Sequence, residues 1–180
     1  MKDIIRNILK EDYNKERILY HTSCNNFNEF HKDKINYFSL NEKDSVNFHN
    51  NWRICDDGSK GILYECKVDM GKVFNPNNLS EEEINRIEEL VNNTERKSDL
   101  FMGDYGMKDY DFPEETTDIE FIMHMLEGSE NWQVMEQPLF VKWMRENNYD
   151  SFIIKEYNFK DNSIGILNPN NIEIINKTQL

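Results

Sequence analysis

Polar and aromatic side chains suited to gripping a flat amide ring occur in two short segments near the N-terminus. Residues 19–23 contain His21, and residues 37–40 are followed by Ser45 and Phe48. Each segment opens as a half-apolar run typical of a strand, yet carries polar groups at points that a core strand would not favour. Aromatic faces stack on flat rings, and a hydroxyl with a backbone group can hold a carboxamide in its plane. These residues predict a binding site for a flat amide such as nicotinamide.

The elements that position these side chains are predicted from the spacing of apolar residues and from capping signals. Residues 18–22 and 36–40 are predicted strands, and residues 61–69 show the clearest strand pattern in the chain. Asn41 is predicted to cap a helix of about two turns, with Asp44 three positions later. The polar side chains would thus lie on adjacent elements.

The rest of the chain mixes helices and strands without βαβ regularity. Further helices are predicted at residues 1–14, from the Ser80–Glu83 capping box to Val91, at residues 118–127 and from Pro138 to residue 147. Further strands are predicted at residues 151–157, 163–167 and 172–175, the first two joined by a hairpin loop at 158–162. The region around 94–130 is predicted to be a helical and loop insertion. The pattern predicts an α+β fold in a single domain, residues 1–180.

The charge and composition exclude several classes of function. The net charge is −13, from 34 acidic and 21 basic residues, so the surface repels phosphate backbones and free nucleic-acid binding is not expected. A basic protein partner, or simply a soluble surface, fits better. No apolar run approaches the roughly 18 residues of a membrane span, and no signal-peptide core is present. The three cysteines are odd in number and widely spaced, which predicts free thiols and a cytoplasmic location, in a bacterium or an infected host cell.

Other site chemistries have weak support in the sequence. His21 and Cys24 have the spacing of a metal-binding pair, but no second paired set accompanies them, so no metal site is predicted. No glycine-rich phosphate-binding loop is present. The acidic runs are read as solvated faces.

In their order along the chain, the two N-terminal segments resemble the NAD-binding half of ADP-ribosyltransferases of the diphtheria-toxin and poly(ADP-ribose) polymerase type. By this resemblance His21 holds the ribose hydroxyls of NAD, and the backbone of Thr22 meets the carboxamide. Tyr37 stacks on the nicotinamide ring, Ser45 bonds its amide, and Phe48 closes the sandwich one turn later. Thr22 departs from the glycine often found at this position, which would narrow the pocket. The NAD-binding residues implied are His21, Thr22, Ser23, Tyr37, Ser39, Ser45 and Phe48.

The resemblance covers roughly residues 18–75 and 131–175, and its C-terminal part looks like phage and bacterial members of the superfamily. It implies a split β-sheet core with flanking helices. The implied setting is a toxin or effector that uses NAD as co-substrate.

The catalytic acid departs from the family pattern. Family enzymes place a Glu at the start of the strand before the final one, and that position here is Asn162 or Ser163. Neither side chain can carry the negative charge that a developing cation needs. Glu156, across the predicted hairpin from Ser163, is the preferred substitute, and Glu136 is the other candidate.

Three functional hypotheses remain open at this point. The first is a mono-ADP-ribosyltransferase that moves ADP-ribose from NAD to a protein or other acceptor and releases nicotinamide. The second is a catalytically degenerate module that binds NAD or ADP-ribose. The third is an interaction protein that inhibits a basic target through its acidic surface. In the first and third cases the insertion would serve target recognition.

Overall fold

The computed structural model describes residues 16–52, 55, 58, 60–101, 116–155 and 162–180. Over these residues the chain is α+β, with one mixed seven-stranded sheet and five α-helices. Two compact units divide the chain. The first holds the described residues of Met1–Phe74, Tyr149–Ile153 and Asn158–Leu180, and the second those of Asn75–Asn148 and Ile154–Tyr157. The α+β class is confirmed, whereas the single domain and the ADP-ribosyltransferase core stay predictions.

The sheet places its first, second and penultimate strands side by side. Its strands are β1 (Glu16–Ser23), β2 (Asn36–Ser39), β3 (Ile62–Asp69), β4 (Val73–Phe74), β5 (Ser151–Ile154), β6 (Ser163–Ile166) and β7 (Ile172–Gln179). Their order in the sheet is β4-β5-β6-β2-β1-β3-β7. β4 pairs with β5 in parallel, whereas the pairs β1–β2, β1–β3, β2–β6 and β3–β7 are antiparallel. The predicted strands at 18–22, 36–40, 61–69 and 163–167 and the terminal strand are confirmed.

One face of the central strands packs into an apolar core. Leu19, Phe38, Tyr64 and Ile164, on four different strands, are all at most 2 % exposed. Because side chains alternate along a strand, the same positions that read as apolar in the sequence converge on this face. Burial of each large apolar side chain contributes roughly 1.5–3 kcal/mol, so this face holds the strands in register.

Helix α1 (Glu42–Trp52) follows β2 and begins where the sequence predicts. Asn41 Oδ1 accepts a hydrogen bond from the Asp44 backbone N–H at 2.8 Å, which satisfies one of the free donors at the helix start. The helix has 11 residues rather than about two turns. Ser45 and His49, one turn apart, are both buried, so the inward face continues beyond the second turn.

The second unit is built from four helices. They are α2 (Glu81–Asn93), α3 (Asp118–Glu127), α4 (Trp132–Met135) and α5 (Pro138–Glu146), with short 3-10 turns at Pro76–Asn78 and Lys97–Leu100. The predicted capping box is confirmed: Ser80 Oγ accepts from the Glu83 N–H, and the Glu83 carboxylate accepts from the Ser80 N–H. A second capping box, between Thr117 and Glu120, begins α3. Local hydrogen bonds thus set both helix starts.

The expectation of three free thiols is wrong. Cys24 and Cys55 form a disulfide, with their Cα atoms 5.4 Å apart, while Cys66 is free and buried. The sequence separation of 31 residues carried no pairing signal. Packing of α1 against β1 brings the residue after the strand to a residue three positions beyond the end of the helix.

Several predictions fall outside the described residues. These are the N-terminal helix at 1–14, residues 102–115 of the insertion, residues 158–161 of the hairpin loop and residues 156–157 of the strand predicted at 151–157. The described part of that strand, β5, ends at Ile154. Among the described residues, no helix combines the length and apolar character that a membrane crossing requires. The cytoplasmic location stays a prediction.

Candidate functional site

The register of β1 and β2 distributes the predicted NAD-binding residues over both faces of the sheet. Tyr20 lies opposite Ser39. Because side chains alternate along each strand, Thr22 and Tyr37 share the face of Ser39. The His21 ring lies on the other face, the one that carries the apolar core.

A cavity of about 600 Å³ opens beside His21 in the first unit. Three of the predicted residues, His21, Ser23 and Tyr37, line it. The remaining lining comes from the segment between β1 and β2 and the first residue of β2, namely Asn25, Phe27, Glu29, Phe30, His31, Lys34, Ile35 and Asn36. Its walls combine aromatic rings with one lysine and one glutamate, a mixture suited to a ligand with both flat and charged parts.

The orientation of His21 is set by one hydrogen bond and by aromatic packing. His21 Nδ1 lies 2.7 Å from the Tyr37 carbonyl oxygen. A carbonyl only accepts, so Nδ1 carries the proton, and Nε2 is the acceptor nitrogen of the neutral ring. The imidazole also meets the Phe30 ring edge-on at 5.3 Å and the Phe38 ring at 5.6 Å between centroids. These contacts hold the imidazole in one orientation at the cavity wall.

Thr22 and Ser45 are bonded to each other on the opposite face. Thr22 Oγ1 donates to the Ser45 carbonyl oxygen at 2.8 Å and lies 2.6 Å from Ser45 Oγ. A hydroxyl has only one hydrogen, so Ser45 Oγ is the donor in the second contact. Both residues are buried, at 7 % and 4 % exposure. The structure gives their side chains a clear role in attaching α1 to β1.

The remaining predicted residues lie on the same side as that contact. Phe48 follows Ser45 by three positions in α1 and is 37 % exposed. Tyr37 and Ser39 are half-buried in β2; the side chain of Tyr37 lies on this face, although its backbone carbonyl meets His21 at the cavity. The predicted set is thus divided between the cavity and the face of the sheet that α1 covers.

Ser163 is one of the two positions, with Asn162, at which the resemblance expects a glutamate. Ser163, the first residue of β6, lies directly opposite Ser39 at the end of β2. The Glu136 backbone N–H donates to the Trp132 carbonyl just after α4, in the second unit. Glu156 lies outside the described residues. The choice between the two carboxylates stays a prediction.

The segment after β1 is held by residues that the sequence did not single out. The Tyr64 hydroxyl on β3 donates to the Asn25 carbonyl at 2.8 Å and accepts from the Phe27 N–H at 3.0 Å. From β7, Lys177 Nζ donates to the Phe27 carbonyl at 2.5 Å and to Asn28 Oδ1 at 2.7 Å. These contacts span 37 to 150 residues of chain, so no local motif announces them. They shape one wall of the cavity.

Comparisons with known proteins give one weak structural likeness. No family model matches the sequence, and no curated protein matches it. The fold is similar to a solved structure described as "Crystal structure of an anti-CRISPR protein". That similarity has 11 % sequence identity and a TM-score of 0.49, and it covers 89 % of this chain and 96 % of the other.

Proposed function

We propose that this protein is an NAD-dependent mono-ADP-ribosyltransferase, which moves ADP-ribose onto a protein or other acceptor and releases nicotinamide. The observation that carries the proposal is the position of His21 on the wall of a 600 Å³ cavity, with Nδ1 bonded to the Tyr37 carbonyl. With the proton on Nδ1, Nε2 is the acceptor nitrogen of the neutral ring, and a ribose hydroxyl donates to a group of this kind. This role was expected of His21 from the resemblance.

The cavity suits a nucleotide in size and chemistry. Its volume falls within the roughly 300–1,000 Å³ of small-molecule sites. Phe27 and Phe30 supply flat apolar surfaces, and the Lys34 side chain supplies one positive charge for a phosphate. A dinucleotide with aromatic rings at both ends and a charged centre fits that combination.

The proposed reaction needs no redox step. The bond between ribose C1′ and the nicotinamide nitrogen breaks, and its electron pair leaves with neutral nicotinamide. A nucleophile on the acceptor then bonds to C1′ and loses its proton to water or to a base. A carboxylate stabilises the positive charge that develops on the ribose. Glu156 is the first candidate for this role and Glu136 the second.

A second candidate function is a catalytically degenerate module that binds NAD or ADP-ribose, or that inhibits another protein. The observation that favours it is Ser163 at the start of β6, the strand before the final one, where the resemblance expects a glutamate. A serine cannot supply negative charge. The net charge of −13 suits a basic protein partner in either case.

The test begins with NAD binding, measured by isothermal titration on the full chain. His21→Asn keeps a side-chain amide that can donate to the Tyr37 carbonyl in place of Nδ1, but it removes the Nε2 acceptor. Loss of one hydrogen bond of roughly 1 kcal/mol weakens NAD binding by about threefold to tenfold. His124→Gln, at an exposed position on α3, is the matched control and should leave the affinity unchanged. Equal NAD affinity in wild type and His21→Asn would contradict the proposal.

Transfer is tested by incubating the protein with labelled NAD and a bacterial lysate. Labelling that is lost in Glu156→Gln supports Glu156 as the carboxylate that stabilises the ribose cation. Labelling that is lost only in Glu136→Gln assigns this role to Glu136. Binding of NAD without labelling or nicotinamide release supports the degenerate module. Absence of NAD binding in the wild type overturns both nucleotide hypotheses.

A further inference from the structure

Three potential metal ligands meet in the first unit, apart from the cavity. Cys24 directly follows β1, His49 lies in the last turn of α1, and Cys55 comes shortly after that helix. Their ligand atoms all lie within 4.8 Å of one another. His49 and Cys55 are each 2 % exposed. Cys24 is half-buried, so the cluster is partly accessible, and it joins the end of β1 to α1 and to the segment after α1.

One pair of ligand atoms in the cluster already has the spacing of two ligands around one ion, whereas the two sulfurs, bonded in the disulfide, would have to separate. His49 Nε2 lies 3.6 Å from Cys55 Sγ. Zinc bonds of about 2.05 Å to nitrogen and about 2.3 Å to sulfur, at a tetrahedral angle, separate two such ligands by about 3.6 Å. The imidazole packs closely against Gly61, where a Cβ would lie 2.5 Å from Nε2.

The disulfide state leaves the His49 ring poorly satisfied. Among the described residues, Nδ1 is buried with no hydrogen-bond partner, and Nε2 has the 3.6 Å contact to sulfur. A buried polar group without a good partner destabilises a fold, so packing alone does not explain a histidine here. A metal bond at Nε2 would replace the long contact to sulfur, while Nδ1 would carry the proton and keep no partner among the described residues.

We propose that the dithiol form of this protein binds one zinc ion through Cys24 Sγ, Cys55 Sγ and His49 Nε2, with water as the fourth ligand. Thiolate and imidazole ligands in tetrahedral geometry select zinc among the common divalent ions. None of the three ligands lines the cavity, although Cys24 lies between Ser23 and Asn25, which do. The zinc site stabilises the junction of β1 and α1, whereas the disulfide holds the same junction under oxidising conditions.

The two states interconvert by a balanced exchange. A dithiol reductant supplies two electrons and two protons, the sulfur–sulfur bond breaks, and two cysteine thiols form while the reductant becomes a disulfide. Zinc then bonds to both sulfurs and displaces both thiol protons to water. In a reducing compartment, where disulfides are rare and cysteine–histidine clusters more often bind metal, the zinc state would prevail.

The test is a cobalt titration of the full chain after reduction with tris(2-carboxyethyl)phosphine. Co²⁺ bound to thiolates in tetrahedral geometry gives visible and charge-transfer absorption, and added Zn²⁺ should remove it. We expect one equivalent of Co²⁺ in the reduced wild type. The matched control is Cys66→Ala, which removes a buried thiol outside the cluster and should bind equally.

Cys24→Ser and Cys55→Ser should each weaken cobalt binding by at least about 100-fold. Loss of a residue that only orients a metal ligand already weakens metal binding by up to about 100-fold, and these variants remove a ligand itself. The oxidised wild type serves as a control without any mutation and should give no absorption. Circular dichroism of each reduced sample reports whether it is folded. Three results would overturn the proposal: a reduced wild type without cobalt absorption, an oxidised form that binds cobalt as well as the reduced form, or Cys24→Ser with wild-type affinity.

Discussion

The contact between Thr22 and Ser45 predicts that removing the Thr22 hydroxyl lowers the stability more than removing the Ser45 hydroxyl. Thr22 Oγ1 donates to the Ser45 carbonyl at 2.8 Å and accepts from Ser45 Oγ at 2.6 Å. Thr22→Val keeps the shape of the side chain but leaves the buried Ser45 hydroxyl without this acceptor. Ser45→Ala removes one hydroxyl and leaves the Thr22 hydroxyl bonded to the carbonyl. Thr22→Val should thus be the more harmful change.

The magnitudes follow from the number of groups left unpaired. Loss of a hydrogen bond with a stranded buried partner costs roughly 1–3 kcal/mol, so Thr22→Val should lower the free energy of unfolding by about 2 kcal/mol. Ser45→Ala should lower it by about 1 kcal/mol. The double variant has no Ser45 hydroxyl left without a partner. Its loss in free energy of unfolding should therefore be about 2 kcal/mol, rather than the roughly 3 kcal/mol expected if the two single effects added. The coupling energy is then about 1 kcal/mol.

Urea unfolding of the four proteins measures this cycle. The transitions should be followed by both circular dichroism and tryptophan fluorescence, because two compact units can unfold separately. Ser39→Ala, at a half-buried position in β2, is the control and should change stability by less than about 0.5 kcal/mol. Effects of Thr22→Val and Ser45→Ala that add within about 0.3 kcal/mol would refute the reasoning.

Three further predictions concern other parts of the chain. Burial, with a smaller contribution from Glu65, raises the pKa of the Cys66 thiol to about 12, so iodoacetamide at about pH 8 should label it only after unfolding. Gly165→Ala should destabilise the chain by about 1–3 kcal/mol in urea unfolding, since its Cβ would lie 2.3 Å from the fully buried Phe152 ring. Hydrogen bonds from the backbone and hydroxyl of the residue before α3 hold the pKa of Glu120 below its usual range. Its contribution to stability is present at neutral pH and is lost as the pH falls through that lowered value, so the dependence of the urea midpoint on acid pH should be shallower in Glu120→Gln.

Each of these predictions has a contrasting outcome. Rapid labelling of Cys66 in the native protein would show that its thiol is not protected by burial. Gly58→Ala, where nothing lies within 4 Å of an added Cβ but φ is +73°, measures backbone strain alone, and equal costs for it and Gly165→Ala would argue against a packing effect. An equal dependence of the urea midpoint on acid pH in the wild type and Glu120→Gln would show that the Glu120 carboxylate does not stabilise the start of α3.

Local features of the fold were predictable because their cause lies within a few residues. The Ser80–Glu83 box, the Asn41 cap and the proline at the start of α5 each act within a turn of helix. The strand at residues 61–69 was visible because alternating apolar positions mark one buried face. The helix after Asn41 was predicted too short, because burial of His49 against the sheet is a tertiary effect.

The division of the predicted binding residues could not be obtained from the sequence. A strand of alternating side chains places neighbours such as His21 and Thr22 on opposite faces, and the sequence does not say which face is open. Pairing of β1 with β2 and packing of α1 decide that Thr22 bonds Ser45, whereas His21 reaches the cavity.

By itself, the sequence determined the α+β class, most strand and helix positions, and the residue types that suit an NAD pocket. Only the tertiary structure decided which of these side chains meet, and it joined Cys24, His49 and Cys55 in a cluster that spacing alone did not reveal. The physical reason is the range of the interactions. Capping and periodicity act over three or four residues. The contacts of Tyr64 and Lys177 with the segment after β1 join residues that are up to 150 positions apart in the chain.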